Sequence, residues 1–494
     1  MTTTAPRSLT RAAATAAVWA LFQSVGTRIA SFGSQLVLAW VLLPSAFGEV
    51  SMAFTASTVI TTLMTFGIDD VLLSRSRRIG LWSPVAFKVS MAFAVLGAVL
   101  MLSLAPLAAH FYHNPRVAGL IAVLAISVPI NALTTVPNAV LRSHFRNRFL
   151  STYGTAEAIG VQAATVIFAL VGLGAYSFVL PLPISAAVRS VVFHRVAPRW
   201  ARPRRLQMKR LRHITFSGAM VFGQRVIITL RNQADYAVMA LLTTTTALGF
   251  YFFAFRMAAQ PVYALANSLA GALFPGLATL RDQPERQLKA ALSAASILTA
   301  ITLPICSLQA ALAGPLLRQL FDKKWEHAIP IVEILSLGLA FDMGPIVSGA
   351  LANANGRFRI QLWIALGALP AFFLMIVAGV VWKQGVGVAT TLSIYYVAAA
   401  IVIPYVIFKK HGVKVMQIVD TYLYPALFSM LAVGAPRLLL QRYAPNIGNI
   451  AMIVVLPLIS VPVYVFLVKY FMPNLTADML GRAKVFRSRK AAIA

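Results

Sequence analysis

Apolar residues run along this chain in long, nearly continuous stretches that are separated by short basic connectors. A stretch of about 20 apolar residues is long enough to cross the hydrocarbon core of a membrane as a helix. Because the runs are continuous rather than alternating, they predict helices and not the strands of a barrel. The pattern therefore predicts an all-α integral membrane protein with about fourteen transmembrane helices. The predicted spans are residues 14–42, 48–73, 84–109, 117–141, 153–173, 176–193, 214–242, 248–275, 288–313, 328–352, 359–381, 387–408, 418–436 and 449–471.

The composition agrees with this pattern. Of 494 residues, 59% are hydrophobic and only 11% are charged, whereas a soluble chain carries about 25% charged residues. The net charge of +30 does not indicate nucleic acid as a partner, because Lys and Arg are concentrated in the connectors, where orientation signals lie. The single cysteine, Cys306, excludes an internal disulfide. The basic and then apolar N-terminus is interpreted as a retained first helix rather than a signal peptide.

The Lys and Arg residues are distributed unequally over alternate connectors. One set of connectors, including both termini, holds thirty of them, and the opposite set holds seven. Such an excess marks the cytoplasmic side of a membrane protein. The sequence therefore predicts that both termini lie in the cytoplasm. The remaining six lie inside spans: Arg28, Lys88, Arg189, Arg225, Arg231 and Arg256.

The longest basic connector, residues 194–213, divides the chain into two similar parts. The stretch LPSAFGEVSMAF at 43–54 is echoed by TTTALGFYFFAF at 244–255, at the first hairpin of each half, as an internally repeated transporter requires. The prediction is a first lobe at 1–193, a second lobe at 214–408 and two additional helices with a basic tail at 409–494. Each lobe would contain six helices. The connector itself is interpreted as an orientation signal that contacts anionic membrane lipids, rather than as a docking site for a partner.

Four arginines lie deep inside predicted spans. Arg28 is at the centre of its span, Arg225 and Arg231 lie about 5 Å along the axis from the middle of theirs, and Arg256 lies about 12 Å into its span. Each central arginine costs about 2.5–3.5 kcal/mol to insert unless it faces a partner or water. Lys88 and Arg189, nearer span ends, are expected to snorkel towards water. The four arginines predict a water-filled cationic cavity that binds an anion. Phosphate is the favoured anion, because the planar guanidinium group presents paired hydrogen-bond donors to its oxygens. The alternative is that these arginines form structural ion pairs.

Carboxylates in the spans are few. Asp235 follows Arg231 by four residues, on one helical face, so the two are expected to pair. Asp342, near the centre of span 328–352, is a second ion-pair or ion-coupling candidate. Glu157, together with Asp69 and Asp70, is expected to form structural pairs. Asn232 and Gln233 turn to other faces and are expected to bond neighbouring helices.

The motifs of common enzymes and ATP-driven pumps are missing from the sequence. It contains no glycine loop that would cradle a phosphate and no acidic constellation on an external connector of the kind that a membrane polymerase or glycosyltransferase needs. His110 and His113 lack a third metal ligand. We therefore expect no catalytic residue, no metal and no cofactor. The energy source is left open by the sequence: a proton could use Asp235 or Asp342, and sodium could use carbonyls at a broken helix.

Several stretches resemble one known family. RNQADYAVMALLTTTTALGFYFFAFRMAAQPV and LFPGLATLRDQPERQ resemble the seventh and eighth helices of bacterial oligosaccharide flippases, which export O-antigen and exopolysaccharide precursors. These flippases form the polysaccharide transporter family of the multidrug/oligosaccharidyl-lipid/polysaccharide flippase superfamily. LFDKKWEHAIPI and NANGRFR resemble the segments that flank the tenth helix of that family. LAWVLLPSAFGEV resembles the first hairpin, and RFLSTYGTAEAIG with GLGAYSFVLPLPISAAVRSVVF resembles the fifth and sixth helices.

The resemblance implies a fold of two six-helix lobes plus two C-terminal helices in the bacterial inner membrane. It implies alternating access and a cargo of oligosaccharide linked to polyprenyl diphosphate, moved outward before polymerisation. The implied partners are this cargo, membrane lipids and the polysaccharide polymerase with its chain-length machinery. Asp235 matches the acidic position of the family's seventh-helix motif, where Asn-x-Asp is usual, although Gln233 and Ala234 depart from it. A lipid II or drug exporter on the same fold is the nearest alternative; a membrane polymerase or glycosyltransferase is a more distant one.

Overall fold

The computed structural model describes residues 26–28, 30–65, 72, 79–144, 146–198, 208–321, 323–409, 412–444, 447–473, 475 and 476. Residues 69 and 70 of the predicted pairs lie outside this range. The described residues contain helices and no strand, and nine of the helices are long and apolar enough to cross a membrane. The prediction of an all-α multi-pass membrane protein is confirmed.

The first compact unit runs from Ala14 to Phe252. Residues 26–28 and 30–41 are helical. The helices that follow are α1 (Pro44–Thr65), α2 (Ile79–Phe111), α3 (Arg116–Ser143), α4 (Asn147–Leu170), α5 (Tyr176–Val179), α6 (Pro181–Val196), α7 (Met208–Leu242) and the beginning of α8 (Thr245–Ala278). Helix α4 begins six residues before its predicted span, which places Glu157 deeper in the helix than the hydropathy pattern suggested.

The second compact unit contains Phe253–Ala494 together with Met1–Ala13. Besides the rest of α8, it contains α9 (Pro284–Phe321), α10 (Ile329–Leu339), α11 (Met343–Ala354), α12 (Phe358–Phe408), α13 (Val415–Ser429), α14 (Ala435–Tyr443) and α15 (Asn449–Phe471). The boundary between the two compact units therefore lies inside α8, between Phe252 and Phe253. The predicted lobe boundaries at the 194–213 connector stay a prediction.

Three of the spans in the second unit are interrupted. A 3-10 turn, Ala340–Asp342, separates α10 from α11, and a π-helical turn, Met430–Gly434, separates α13 from α14. Helix α12 has non-helical backbone angles at Lys383 and Gln384. Gln384 has a φ of 46° and a ψ of −128°. The two spans predicted at 359–381 and 387–408 are therefore confirmed as two helical segments on either side of this break.

The two C-terminal spans pack on α9 of the same unit. The Tyr464 hydroxyl of α15 donates a 2.7 Å hydrogen bond to the Ala300 carbonyl of α9. A buried apolar cluster surrounds this bond and includes Ala300, Phe428, Ala432 and Val468. Small residues on α9 allow the close approach that van der Waals packing between membrane helices requires.

The two echoed turns of the sequence contact each other inside the first unit. Gly48 and Gly249 are each the fifth residue of their helix, α1 and α8. A Cβ on Gly48 would lie 1.9 Å from the Thr245 carbonyl oxygen, and a Cβ on Gly249 would lie 1.8 Å from the Pro44 carbonyl oxygen. Pro44 and Thr245 are themselves the first residues of the two helices. The contact is therefore reciprocal, and equivalent positions of the echo take equivalent roles in it.

Candidate functional site

Helix α1 is joined to α7 by polar contacts. The Thr55 hydroxyl donates to the Gln233 side-chain oxygen at 3.5 Å, and the hydroxyls of Thr62 and Thr229 lie 3.2 Å apart. The prediction that Gln233 bonds a neighbouring helix is confirmed. Asn232 is exposed and has no hydrogen-bond partner in the described part of the chain, so the same expectation for Asn232 stays a prediction.

All four arginines predicted to line a cavity are half-buried. Arg28, Arg225 and Arg231 belong to the first compact unit, and Arg256 belongs to the second. None of the four is without an interaction partner. Arg225 and Arg231 share α7 and are six residues apart, which places them about 9 Å apart along the axis on faces about 120° from each other. Three of the four arginines therefore belong to the same compact unit. The prediction that the four arginines bind an anion together stays a prediction.

Asp235 has different partners from the one expected. Its side chain is 3% exposed. The Tyr251 hydroxyl donates a 2.8 Å hydrogen bond to Asp235 Oδ2, and the Tyr236 backbone N–H donates to Oδ1 at 2.9 Å. Within the described residues Asp235 makes no ion pair with Arg231. The carboxylate therefore links α7 to the first turns of α8 through a tyrosine, and its charge is not cancelled by the arginine one turn earlier.

Asp342 ends the 3-10 turn that interrupts its span. It is half-buried and has an interaction partner. The neighbouring Phe341 stacks on Tyr422 with ring centroids 5.7 Å apart, and Gly344 leaves the space that the Tyr422 hydroxyl fills. An acidic residue at a broken helix is an arrangement suited to an ion, and the sequence assignment of Asp342 as a coupling candidate stays a prediction.

A polar cluster in α3, α4 and α6 was not foreseen as a unit. Arg189 Nη1 lies 3.4 Å from Glu157 Oε1, and Arg189 Nη2 donates to the Asn131 side-chain oxygen. The Ser185 hydroxyl donates to Glu157 Oε1 at 2.6 Å. The expected pairing of Glu157 is confirmed, whereas the expected snorkelling of Arg189 is replaced by contacts with two other helices. An Asn in an apolar span, Asn131, is the sequence signal that could have indicated this cluster.

The chain matches a protein family and has a relative that aligns over nearly its whole length. Residues 37–330 match the family described as "Polysaccharide biosynthesis protein". The succinoglycan biosynthesis transport protein ExoT of Rhizobium meliloti (strain 1021) is 22% identical over 479 residues, which is 96% of each chain. This relative is named as a transport protein, which favours transport over the polymerase and glycosyltransferase alternative.

Solved structures of membrane transporters share the fold of this chain. The lipid II flippase MurJ in an inward closed conformation superposes with a TM-score of 0.72 and 13% identity, covering 94% of this chain and 99% of that chain. An inward-facing multidrug resistance MATE family transporter of the MOP superfamily superposes with a TM-score of 0.64 and 13% identity, covering 82% and 99%. The predicted fold is confirmed. Because these two neighbours are named for different cargoes, the fold alone does not choose between cargoes.

Proposed function

Because the chain belongs to the polysaccharide biosynthesis protein family, we propose that it flips an oligosaccharide linked to polyprenyl diphosphate across the bacterial inner membrane. The cargo moves from the cytoplasmic to the periplasmic leaflet by alternating access, before the polysaccharide polymerase and chain-length machinery act on it. The family match and the full-length relative named for succinoglycan transport support this cargo over lipid II or a drug, which only the fold neighbours suggest.

The arginines within spans support the phosphate end of this cargo. Three of them, Arg28, Arg225 and Arg231, belong to one compact unit and are half-buried. Arginine forms paired, charge-assisted hydrogen bonds with phosphate oxygens, and a drug that is a cation would be repelled by the same groups. This surplus of guanidinium groups within the spans is the observation that carries the assignment of a diphosphate cargo.

Substitution of the arginines tests the proposal. In cells that lack the chromosomal gene, Arg231→Ala and Arg28→Ala, singly and together, are expected to lower surface polysaccharide at least tenfold while the protein still accumulates in the membrane. A hydrogen bond to a charged group contributes about 1.5–3 kcal/mol, and each 1.4 kcal/mol is about tenfold in binding. Arg231→Lys should keep part of the activity, since it keeps the charge and loses the fork.

Arg442→Ala is the matched control, because Arg442 is exposed near the end of α14 and should tolerate the change. Export at wild-type levels in both arginine variants and in their combination would exclude the diphosphate site. Reporter fusions in residues 194–213 and at Lys323 test the proposed orientation with both termini in the cytoplasm. The fusions should report opposite sides of the membrane.

Energy for the cycle would come from a proton or sodium gradient acting through Asp235 or Asp342. Asp235 is held by two neutral donors, so it is able to take up and release a proton without breaking an ion pair. Asp235→Asn should keep the tyrosine contact and abolish the dependence of export on the proton gradient. If export in Asp235→Asn still depended on the gradient and export in Asp342→Asn did not, the energy-coupling role would belong to Asp342 at the interrupted helix instead.

A further inference from the structure

Five polar side chains from three helices form one group inside the first unit. They are Asn131 of α3, Tyr153 and Glu157 of α4, and Ser185 and Arg189 of α6, and we refer to them as the Glu157–Arg189 cluster. Ser185 and Arg189 both contact Glu157 Oε1, and Arg189 reaches across to Asn131. Tyr153 lies one turn before Glu157 on the same face of α4. Its ring packs edge-on against Phe193 of α6, with centroids 5.2 Å apart.

The cluster lies well inside the helices. Glu157 is ten residues after the start of α4, Asn131 is twelve before the end of α3, and Arg189 is seven before the end of α6. At 1.5 Å per residue these positions are about 15, 18 and 10 Å from the helix ends, which are the ends predicted to be cytoplasmic. Measured from the ends of the predicted spans instead, Glu157, Asn131 and Arg189 lie about 6, 15 and 6 Å inside. Charged groups within a span are rare and face a cavity or a partner rather than lipid.

The cluster has unused hydrogen-bonding capacity. Arg189 Nε is buried with no hydrogen-bond partner. Among the residues that the structure describes, the Asn131 amide group, Glu157 Oε2 and the Tyr153 hydroxyl also have none. The Arg189 and Glu157 side chains are 31% and 16% exposed. A purely structural ion pair inside a membrane protein is expected to satisfy its remaining donors and acceptors internally, so these open groups point to a ligand.

The charges of the cluster restrict the class of that ligand. The Glu157 carboxylate is balanced by the Arg189 guanidinium, so a cation would be repelled by Arg189 and an anion by Glu157. The remaining groups are neutral donors and acceptors. They border an aromatic group in which Tyr153 lies 6.1 Å from Phe149 and 5.2 Å from Phe193. A group of polar side chains and aromatic rings favours a ligand that has both polar groups and apolar surfaces.

We propose that the Glu157–Arg189 cluster binds hydroxyl groups of the sugars in the cargo, as a glycan subsite separate from the arginines proposed for the diphosphate. Sugar rings present several neutral hydroxyls around their edge and C–H groups on their faces, which matches open donors and acceptors beside aromatic rings. This assignment rests on the proposed function, because it takes the cargo to carry a glycan.

Binding to the purified full-length protein in nanodiscs tests the subsite with two probes. One is the lipid-linked oligosaccharide extracted from the producing cells, and the other is polyprenyl diphosphate without sugar. Asn131→Ala and Ser185→Ala should each weaken binding of the first probe by up to about tenfold, the loss expected for one or two hydrogen bonds. Binding of the second probe should not change. Thr155→Ala is the control, since among the described residues its hydroxyl bonds only to the Ser151 carbonyl of its own helix.

The outcomes separate this inference from the proposed function. If both variants bind both probes as the wild type does, or lose affinity for both probes equally, the cluster is structural and the glycan subsite is excluded, while the flippase assignment stands. If the wild-type protein binds neither probe, the proposed function fails and the subsite fails with it. A thermal unfolding measurement checks that each variant is folded. If Asn131→Ala is not folded, the binding result of Ser185→Ala decides whether the glycan subsite exists, because this variant removes only one hydroxyl group.

Discussion

The reciprocal glycine contact between α1 and α8 gives a quantitative prediction about stability. In Gly48→Ala the new Cβ would lie 1.9 Å from the Thr245 carbonyl oxygen, and ordinary contacts begin at 3.4 Å. The obstacle is backbone, which cannot rotate away, so the two helix starts must separate by about 1.5 Å. Overpacking of this kind costs about 1–3 kcal/mol. We expect Gly48→Ala to lower the free energy of unfolding by that amount.

The reciprocity of the contact makes the double variant decisive. Gly249→Ala alone should cost about as much as Gly48→Ala, because its Cβ would lie 1.8 Å from the Pro44 carbonyl oxygen. Separation of the helices by one substitution makes room for the other, so the double variant should cost clearly less than the sum of the single variants. Chemical unfolding in detergent measures all three free energies.

Gly160→Ala serves as the control for the glycine variants. Gly160 lies inside α4 with nothing within 4 Å of a Cβ, so alanine there should be neutral or stabilising by up to about 1 kcal/mol. Strictly additive costs in the double variant, or an equal cost for Gly160→Ala, would refute the reciprocal contact.

Three further substitutions test other contacts by unfolding in detergent. Tyr251→Phe should cost about 1–3 kcal/mol, since it leaves a buried oxygen of Asp235 without its hydroxyl donor; a neutral result would show that water or another group replaces it. Gln384→Gly should stabilise the protein by about 1 kcal/mol, because the backbone at this position has a positive φ that glycine adopts without strain; destabilisation would contradict the break seen in α12. Arg437→Gln should lower the free energy of unfolding by no more than about 1 kcal/mol. The reason is that Arg437 lies 3.1 Å from Glu333 and each of the two side chains is 30% exposed. A larger loss would contradict the description of this ion pair as partly exposed.

Hydropathy predicted the all-α membrane fold and the order of its helices because each apolar run must satisfy its own backbone in lipid. The count of about fourteen spans stays a prediction, since nine helices among the described residues are long and apolar enough to cross a membrane. It placed helix ends less well where polar residues continue a helix into the aqueous region. Helix α4 begins at Asn147 and α9 ends at Phe321, six and eight residues beyond the predicted spans. The apolar pattern stops at the membrane surface, whereas helical hydrogen bonding does not stop there.

Side-chain partners were predicted less well than spans. Asp235 was assigned to Arg231 because residues four apart share a helical face. Its actual partner, Tyr251, lies on the next helix, and only the hairpin geometry brings the two together. Glu157 and Arg189 are similar, since they are 32 residues apart. Glu157 was expected to pair without a named partner, and Arg189 was expected to snorkel. Periodicity identifies the face of a residue, but the opposing helix decides which polar group meets it.

The proposed division of the cargo between two kinds of site follows from the demands of specificity. A set of arginines that binds a diphosphate would bind a polyprenyl diphosphate with or without its sugars, because the phosphates are the same in both. Discrimination between two ligands equals the difference in their binding free energies. Only groups that touch the glycan can contribute to that difference. A charge-balanced cluster such as Glu157 and Arg189 contributes to it without adding net attraction for the diphosphate. A flippase that selects loaded carriers therefore needs a neutral polar site in addition to its arginines.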